Sequence, residues 1–124
     1  LIDAQLSLSE IYLPNESLFT IPKFYRILSK FEPFGPGNMK PVFMLKEVYS
    51  DQVSVLKDAH LKLKVKQENI PVKMDAIGFG LAKKEPLVTF GMAYELACTF
   101  DVNVFRDVST LQLIIKDIKS TDSL

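Results

Sequence analysis

His60-Leu61-Lys62-Leu63-Lys64-Val65-Lys66 alternates polar and apolar side chains at every step. A period of two is typical of a β-strand that has one buried face and one solvated face. The two leucines and the valine are therefore predicted to point into a core. His60, Lys62, Lys64 and Lys66 are predicted to stand together on the opposite face, which makes that face basic.

Short apolar runs of this kind recur after Asn38, and turn residues such as Ser50-Asp51 and Glu68-Asn69 separate them. Five or six strands at this spacing, with little helix between them, predict a small antiparallel sandwich or barrel. Residues 80–92 are interpreted as a loop with one helical turn around Pro86. The predicted strands cover residues 42–49, 53–56, 60–67, 72–79, 93–104 and 111–118.

One amphipathic helix is predicted over residues 20–32, before the first of these strands. Thr20 can cap its first turn, Pro22 suits that turn, and Pro33 ends the helix. Phe19 and Phe24 occupy the two positions of a hydrophobic staple. The apolar stripe at positions i, i+3, i+4 and i+7 consists of Phe24, Ile27, Leu28 and Phe31.

The remaining boundaries follow from weaker patterns. Residues 1–13 alternate weakly and are predicted to form an extended lead-in strand. The β region is placed at residues 42–118, inside a single domain of residues 1–119, and the polar residues 120–124 are predicted to be a disordered tail. A length of 124 residues suits one domain with a core of its own.

Charge and composition exclude several classes of function. Fifteen basic and fifteen acidic residues cancel, so the net charge gives no sign of a strong nucleic-acid binder. Residues 57–73 nevertheless form a basic island, with five lysines and two acidic residues. One histidine and one cysteine cannot build a zinc finger or a Cys–His nucleophile pair. No apolar stretch is long enough to span a membrane, so no membrane partner is expected.

The segment Pro33-Phe34-Gly35-Pro36-Gly37-Asn38 contains two glycines, two prolines and an asparagine. This composition requires a tightly turned backbone, and Phe34 is apolar enough to attach the turn to a core. The segment lacks the Gly-Lys-Ser/Thr ending and the preceding strand of a phosphate-binding loop. The residues alone therefore favour a structural elbow between the helix and the strands.

The same segment, followed by Pro41-Val42-Phe43, resembles the signature that opens the C-terminal β domain of RecJ-type single-stranded-DNA exonucleases. Three more stretches follow in the family's order: His60-Leu61-Lys62-Leu63, then Asp75-Ala76-Ile77-Gly78-Phe79-Gly80, then Asn103 with Gln112-Leu113 and Lys116-Asp117-Ile118. The resemblance covers residues 25–119. It implies an α+β, mainly β unit, in which one helix leads into a five- or six-stranded antiparallel barrel of the oligonucleotide-binding (OB) kind. Asp107 stands where the family's last turn suggests glycine, so a different turn type is expected there.

The resemblance also implies a function. The chain is interpreted as the single-stranded-DNA-binding domain of a cytoplasmic 5′-to-3′ exonuclease of DNA repair and recombination. Its partners would be single-stranded DNA, bound weakly, and the remaining domains of the parent enzyme. The nuclease family is similar to phosphoesterases that use two divalent metals, so Mn or Mg is expected in the catalytic domains. The ligands for two divalent metals are missing from this sequence, so no cofactor and no catalytic residue is assigned to this chain. A start at Leu1 is compatible with a fragment.

The basic strand and its neighbours are the candidate DNA contacts, because a cationic groove can follow a phosphate backbone. A solvated lysine face that protects a sheet edge remains the alternative. A scaffold or protein-interaction barrel with little DNA affinity remains open as well, and the neutral net charge favours it. Phe79 is interpreted as a core residue rather than a stacking platform, and Cys98 as buried and inert. The candidate contacts are His60, Lys62, Lys64, Lys66, Lys73 and Arg106.

Overall fold

The strand of alternating lysines is present in the structure and runs over His60–Gln67. In this computed structural model, which describes residues 4–31, 40–89 and 91–121, Leu61, Leu63 and Val65 are at most 2% exposed. Lys62 is exposed on the other face, as predicted. The elements are β1 (Ala4–Leu6), α1 (Leu8–Ile11), α2 (Lys23–Leu28), a 3₁₀ turn (Ser29–Phe31), β2 (Phe43–Leu56), β3 (His60–Gln67), β4 (Lys73–Gly78), a 3₁₀ helix (Ala82–Val88), β5 (Tyr94–Phe105) and β6 (Val108–Ser120).

Five strands close into a barrel in the order β2-β3-β4-β6-β5, and β5 pairs back onto β2. The predicted mainly β, OB-like class is confirmed. One pairing departs from the antiparallel prediction, because β4 and β6 run parallel at Ala76↔Leu113 and Ile77↔Ile114. The chain leaves β4 and enters β5 on the far side of the barrel. The returning strand β6 then fills the gap beside β4 in the same direction.

β2 is one strand of 14 residues, so the predicted turn at Ser50-Asp51 is wrong. Ser50 is 1% exposed, and its Oγ lies 2.6 Å from the Tyr94 Oη. Its polar side chain therefore marks a buried hydrogen bond and not a turn. Glu47 has a φ of 51° beside a bulge between Leu45 and Val48, and a second bulge follows Ser50. Bulges bend a strand, so β2 pairs with β5 in its first half and with β3 in its second.

The lead-in segment differs from the predicted strand over residues 1–13. It is extended only over Ala4–Leu6, which pairs in parallel with the start of β2, and then turns into α1. The backbone N–H of Ser7 donates to the Glu10 carboxylate at 2.8 Å, which is one half of a capping box. Leu8, Ile11 and Tyr12 are all buried. Their helical spacing outweighs the weak alternation seen in the sequence.

The predicted helix over residues 20–32 is shorter, because α2 begins at Lys23 after Pro22 and the 3₁₀ turn continues it to Phe31. Thr20 Oγ1 donates to the Ser17 carbonyl at 2.9 Å, so Thr20 closes the preceding turn instead of capping the helix. Phe24 packs edge-on against Phe100, with ring centroids 5.4 Å apart. Phe19 is 76% exposed, so the predicted staple between Phe19 and Phe24 is wrong.

Two connections complete the barrel. The 3₁₀ helix Ala82–Val88 contains Pro86, in agreement with the predicted helical turn, and Val88 is fully buried. Ser120 pairs with Tyr94 at the end of β6, so the predicted tail does not begin at residue 120. The rest of that tail, residues 122–124, and the elbow motif at residues 33–38 lie outside the described residues. Within the described ranges, no helix is long and apolar enough to cross a membrane.

Candidate nucleic-acid interface

The outer surface of β3 and β4 carries five of the six predicted DNA contacts on one side of the sheet. Residues that are direct partners in an antiparallel pair point to the same side. Lys66 and Lys73 are such partners, so two positive charges stand side by side on this surface. We call this surface the basic face, and it consists of His60, Lys62, Lys64, Lys66 and Lys73.

Two carboxylates interrupt the basic face. Lys64 Nζ lies 3.8 Å from Asp75 Oδ1, and Lys73 Nζ lies 3.4 Å from Asp51 Oδ2. The side chains of Lys64 and Asp75 are 37% and 52% exposed, and ion pairs as accessible as this contribute little to stability. The ion pair between Lys64 and Asp75 therefore leaves this lysine accessible to an anion from solvent. Lys62 forms no ion pair with any described residue.

His60 stands at one end of the basic face and holds the loop that follows β4. Its Nδ1 accepts a hydrogen bond of 3.0 Å from the Gly80 backbone N–H, which leaves Nε2 as the ring's donor. The ring meets Phe79 edge-on, with centroids 5.5 Å apart. His60 therefore orients an aromatic side chain, a role that the sequence did not reveal.

Phe79 is 60% exposed, so its interpretation as a core residue is wrong. A Cβ on Gly78 would lie 2.8 Å from Leu81 Cδ1, and Gly80 has a φ of +73°. The chain thus folds tightly over Leu81 and leaves the Phe79 ring outside. The alternation along β4 could have predicted the exposure of Phe79. Met74 and Ala76 are buried, so the odd-numbered positions point outward, and residue 79 continues that series.

Phe79 also lines a surface cleft of about 540 Å³. Lys40 and Lys116 line it together with Asp101, and none of these three was among the predicted contacts. Lys40 lies in the segment before β2 and Lys116 on β6, so only the closure of the barrel brings them to Phe79. The exposed ring therefore contacts His60 of the basic face and also lines a cleft that contains two lysines and an aspartate.

Arg106 does not belong to the basic face and lies at the tip of the β5–β6 hairpin. Its guanidinium carbon is 5.1 Å from the centroid of the Phe105 ring, and Phe105 is 66% exposed. Arg106 and Asp107 have φ angles of 49° and 64° in a two-residue turn. Positive φ at both positions is the type I′ geometry that favours glycine. This chain adopts that geometry without a glycine, and the expected difference in turn type from the family stays a prediction.

The residues of this chain do not fit the divalent metals that the family's nuclease chemistry implies. Nowhere in the described part of the chain do three His, Cys, Asp or Glu side chains approach closely enough to hold an ion. Cys98 is fully buried, as predicted, and burial raises the pKa of its thiol to about 12. A thiol held protonated in this way is a poor nucleophile.

A comparison of the sequence with known families gives a match over nearly the whole chain. Residues 2–117 match the family model described as the RecJ OB domain. This chain belongs to the RecJ OB domain family. The resemblance inferred from the elbow and strand motifs is thereby confirmed. A comparison with curated proteins finds no match.

Solved structures with the same fold include a much longer RecJ chain. RecJ from Thermus thermophilus in complex with Mn²⁺ is 19% identical and superposes with a TM-score of 0.58, covering 91% of this chain and 16% of that chain. The same protein with Mg²⁺ gives a TM-score of 0.57. This RecJ OB chain thus spans 16% of the length of the Thermus protein.

The fold alone does not decide the function of a RecJ OB domain. The SSB domain of a Synechococcus protein is 15% identical with a TM-score of 0.50, covering 65% of this chain and 94% of that chain. An asparaginyl-tRNA synthetase from Entamoeba histolytica is 12% identical with a TM-score of 0.53, covering 67% of this chain and 21% of that chain. OB barrels therefore occur in proteins of different activity, and the function must be argued from the surface.

Proposed function

We propose that this RecJ OB domain binds single-stranded DNA for a RecJ-like 5′-to-3′ exonuclease of DNA repair and recombination that works in the cytoplasm. The basic face carries this proposal. OB folds bind oligonucleotides on the pair of strands that corresponds here to β3 and β4. Five cationic or hydrogen-bonding side chains of this chain stand on that pair, with an exposed phenylalanine beside them.

The proposed mode of binding divides the work between lysines and aromatic rings. Lys62, Lys64 and Lys66 contact successive phosphates along β3, and Lys73 extends the track onto β4. A base stacks on Phe79, which has a π-face that accepts any base. Arg106 adds a phosphate contact from the hairpin tip. Binding is independent of sequence and weak, with a dissociation constant in the micromolar range or higher, because few phosphates are contacted.

The chemistry of strand cleavage is assigned to the other domains of the parent enzyme. The Thermus RecJ structures are complexes with Mn²⁺ and with Mg²⁺. The present chain has one histidine and one cysteine, and two-metal hydrolysis needs a cluster of ligands about 4 Å apart around the ions. The OB domain accordingly holds the strand while the metal-bearing domains hydrolyse it.

A scaffold function is the second candidate, and the β5–β6 hairpin favours it. Val104, Phe105 and Val108 are 64%, 66% and 43% exposed, which gives the tip an apolar surface. Exposed apolar patches mark contacts between proteins or domains. On this alternative, the barrel closes a ring of domains and its lysines are only a solvated face.

A salt titration separates the two candidates. The variant Lys62→Ala/Lys64→Ala/Lys66→Ala removes three phosphate contacts from β3. Three neutralised phosphates on a single strand give log affinity against log salt a slope of about −2. We expect the triple variant to flatten this slope and to keep its melting temperature, because exposed positions contribute little to the core.

The matched control carries the same loss of charge elsewhere. Lys23, Lys83 and Lys119 lie outside the basic face and are at least partly exposed, so their triple alanine variant should bind with the slope of the wild type. Fluorescence anisotropy of a labelled oligothymidine at two salt concentrations measures all three proteins. Equal affinity and slope in the three, or no binding by the wild type at low salt, would replace this proposal by the scaffold function.

A further inference from the structure

A second cleft, of about 180 Å³, lies between the barrel and the turn that precedes α2. Phe19 from the turn lines one side of it, and Lys64, Lys73 and Thr110 line the side formed by the barrel. The cleft thus joins the start of the chain to the basic face. Phe19 is 76% exposed, the highest exposure among the large apolar side chains in the described residues.

The exposure of Phe19 does not come from a loose segment. Its backbone N–H donates to Ser17 Oγ at 3.1 Å, and Thr20 N–H donates to the Ser17 carbonyl at 3.3 Å. Tyr12, which is 2% exposed, donates its hydroxyl to the Thr20 carbonyl at 3.0 Å. A turn attached to the core in this way holds the backbone that carries the ring, which lowers the entropy cost of ordering this segment on binding.

We propose that Phe19 is a base-stacking site for a nucleotide of single-stranded DNA whose phosphate Lys64 and Lys73 bind. The inference rests on the proposed function and extends the strand's path across the barrel. Lys73 begins β4 and Phe79 follows it, and six residues of strand span about 20 Å. Phe19 and Phe79 therefore provide two separate stacking positions, with the lysines of β3 between them.

The two lysines that line the cleft favour an anionic ligand. Asp75 lines the cleft and pairs with Lys64 through an exposed contact of 3.8 Å, so an incoming phosphate competes with one carboxylate for that lysine. An apolar segment of protein would offer the two lysines no negative charge beyond those of Asp75 and Asp51. A nucleotide supplies an aromatic base for the ring and a negative charge for the lysines together.

Tryptophan fluorescence tests the stacking directly, because the chain contains no tryptophan. In the Phe19→Trp variant, oligothymidine should quench the single tryptophan, since stacked bases quench indole emission. Ile27→Trp provides the control, because Ile27 is 47% exposed on α2 and does not line the cleft. Its emission should stay unchanged over the same titration.

Affinities give the second readout. Phe19→Ala should weaken binding of oligothymidine about fivefold or more, because stacking of one base contributes on this scale. It should leave the affinity for an abasic strand of equal length unchanged, since that strand offers phosphates without bases. Phe19→Tyr, which keeps an aromatic ring, should bind like the wild type. Unchanged melting temperatures show that all variants fold.

The outcomes separate this inference from the proposed function. If the lysine triple variant weakens binding while Phe19→Ala binds both strands like the wild type, only the stacking site is wrong. The same holds if Phe19→Trp is not quenched by DNA that it binds. If the wild type binds no single strand at low salt, the proposed function and the stacking site fail together.

Discussion

Ser50 and Tyr94 form a hydrogen bond inside the barrel, between the middle of β2 and the start of β5. The two oxygens are 2.6 Å apart, and the residues are 1% and 0% exposed. Burial raises the pKa of the Tyr94 phenol to about 12, and the bond to Ser50 opposes that rise. The pair joins two strands through residues that are 44 positions apart, at the point where the barrel closes.

Removing one partner of this bond should destabilise the protein more than removing both. Ser50→Ala leaves the buried phenol without its partner, and an unsatisfied buried group costs about 1–3 kcal/mol. The double variant Ser50→Ala/Tyr94→Phe removes both polar groups and should recover most of that loss. Urea unfolding of the wild type, both single variants and the double variant measures the coupling. Additive losses in the double variant would contradict a bond that matters for stability.

Single residues show where sequence patterns mislead. Ser50 looked like a turn residue because its hydroxyl gave no sign of a partner 44 positions away. Phe19 and Phe79 looked like apolar residues to be buried, although both rings are mainly exposed. Residue type indicates whether a side chain prefers a buried or an exposed position, and a functional site can require the opposite position. These positions are where the candidate site differs most from its prediction.

At the scale of elements, the β5–β6 hairpin is tightly paired but has an unfavourable turn. Its ladder runs from Tyr94↔Ser120 to Phe105↔Val108. Arg106 and Asp107 carry it through the left-handed region with φ angles of 49° and 64°. Residues with a Cβ are strained in this conformation, although aspartate tolerates it better than most. The strained turn therefore lowers the stability that pairing of β5 with β6 gives to the hairpin.

Glycine in place of Asp107 should relieve that strain. We expect Asp107→Gly to raise the free energy of unfolding by about 0.5–1 kcal/mol, less than the full strain because glycine also gains freedom in the unfolded chain. Ser109→Gly is the matched control in the adjoining strand and should lower stability, since glycine weakens a strand interior. Chemical denaturation of both variants decides the matter. A loss of stability in Asp107→Gly would show that the carboxylate stabilises the turn in another way.

Elements with a strict local period were predictable, and elements bent by distant contacts were not. β3 needs only its own alternation to define its buried and basic faces. The sequence predicted two strands in place of β2. The bulges of β2 and the positive φ of Glu47 arise from pairing with β5 and β3, which a local pattern does not reveal. α2 was predicted too long because Thr20 bonds back to Ser17, a choice that local propensity does not decide.

At the scale of the whole molecule, closure of the barrel creates surfaces that no single segment contains. Four residues of the basic face lie on one strand, so sequence alone could group them. The two clefts unite residues far apart in the chain, Phe19 with Lys73 and Lys40 with Phe79. Their composition depends on how the lead-in segment and the last strand pack. The sequence therefore predicted the basic face but not the two clefts, because the clefts depend on long-range contacts of the fold.

The division between a binding barrel and a separate nuclease makes a prediction for the chain as a whole. The sequence contains one histidine and one cysteine, and no metal-binding cluster is found among the described residues. Two-metal cleavage of a phosphodiester needs such ligands on both ions. The isolated chain should therefore leave a labelled single strand intact in Mn²⁺ or Mg²⁺, as seen on a denaturing gel. Its affinity for that strand at constant ionic strength should be the same with EDTA as without it. Cleavage that copurifies with the chain and stops on chelation would show that the barrel itself holds a catalytic metal.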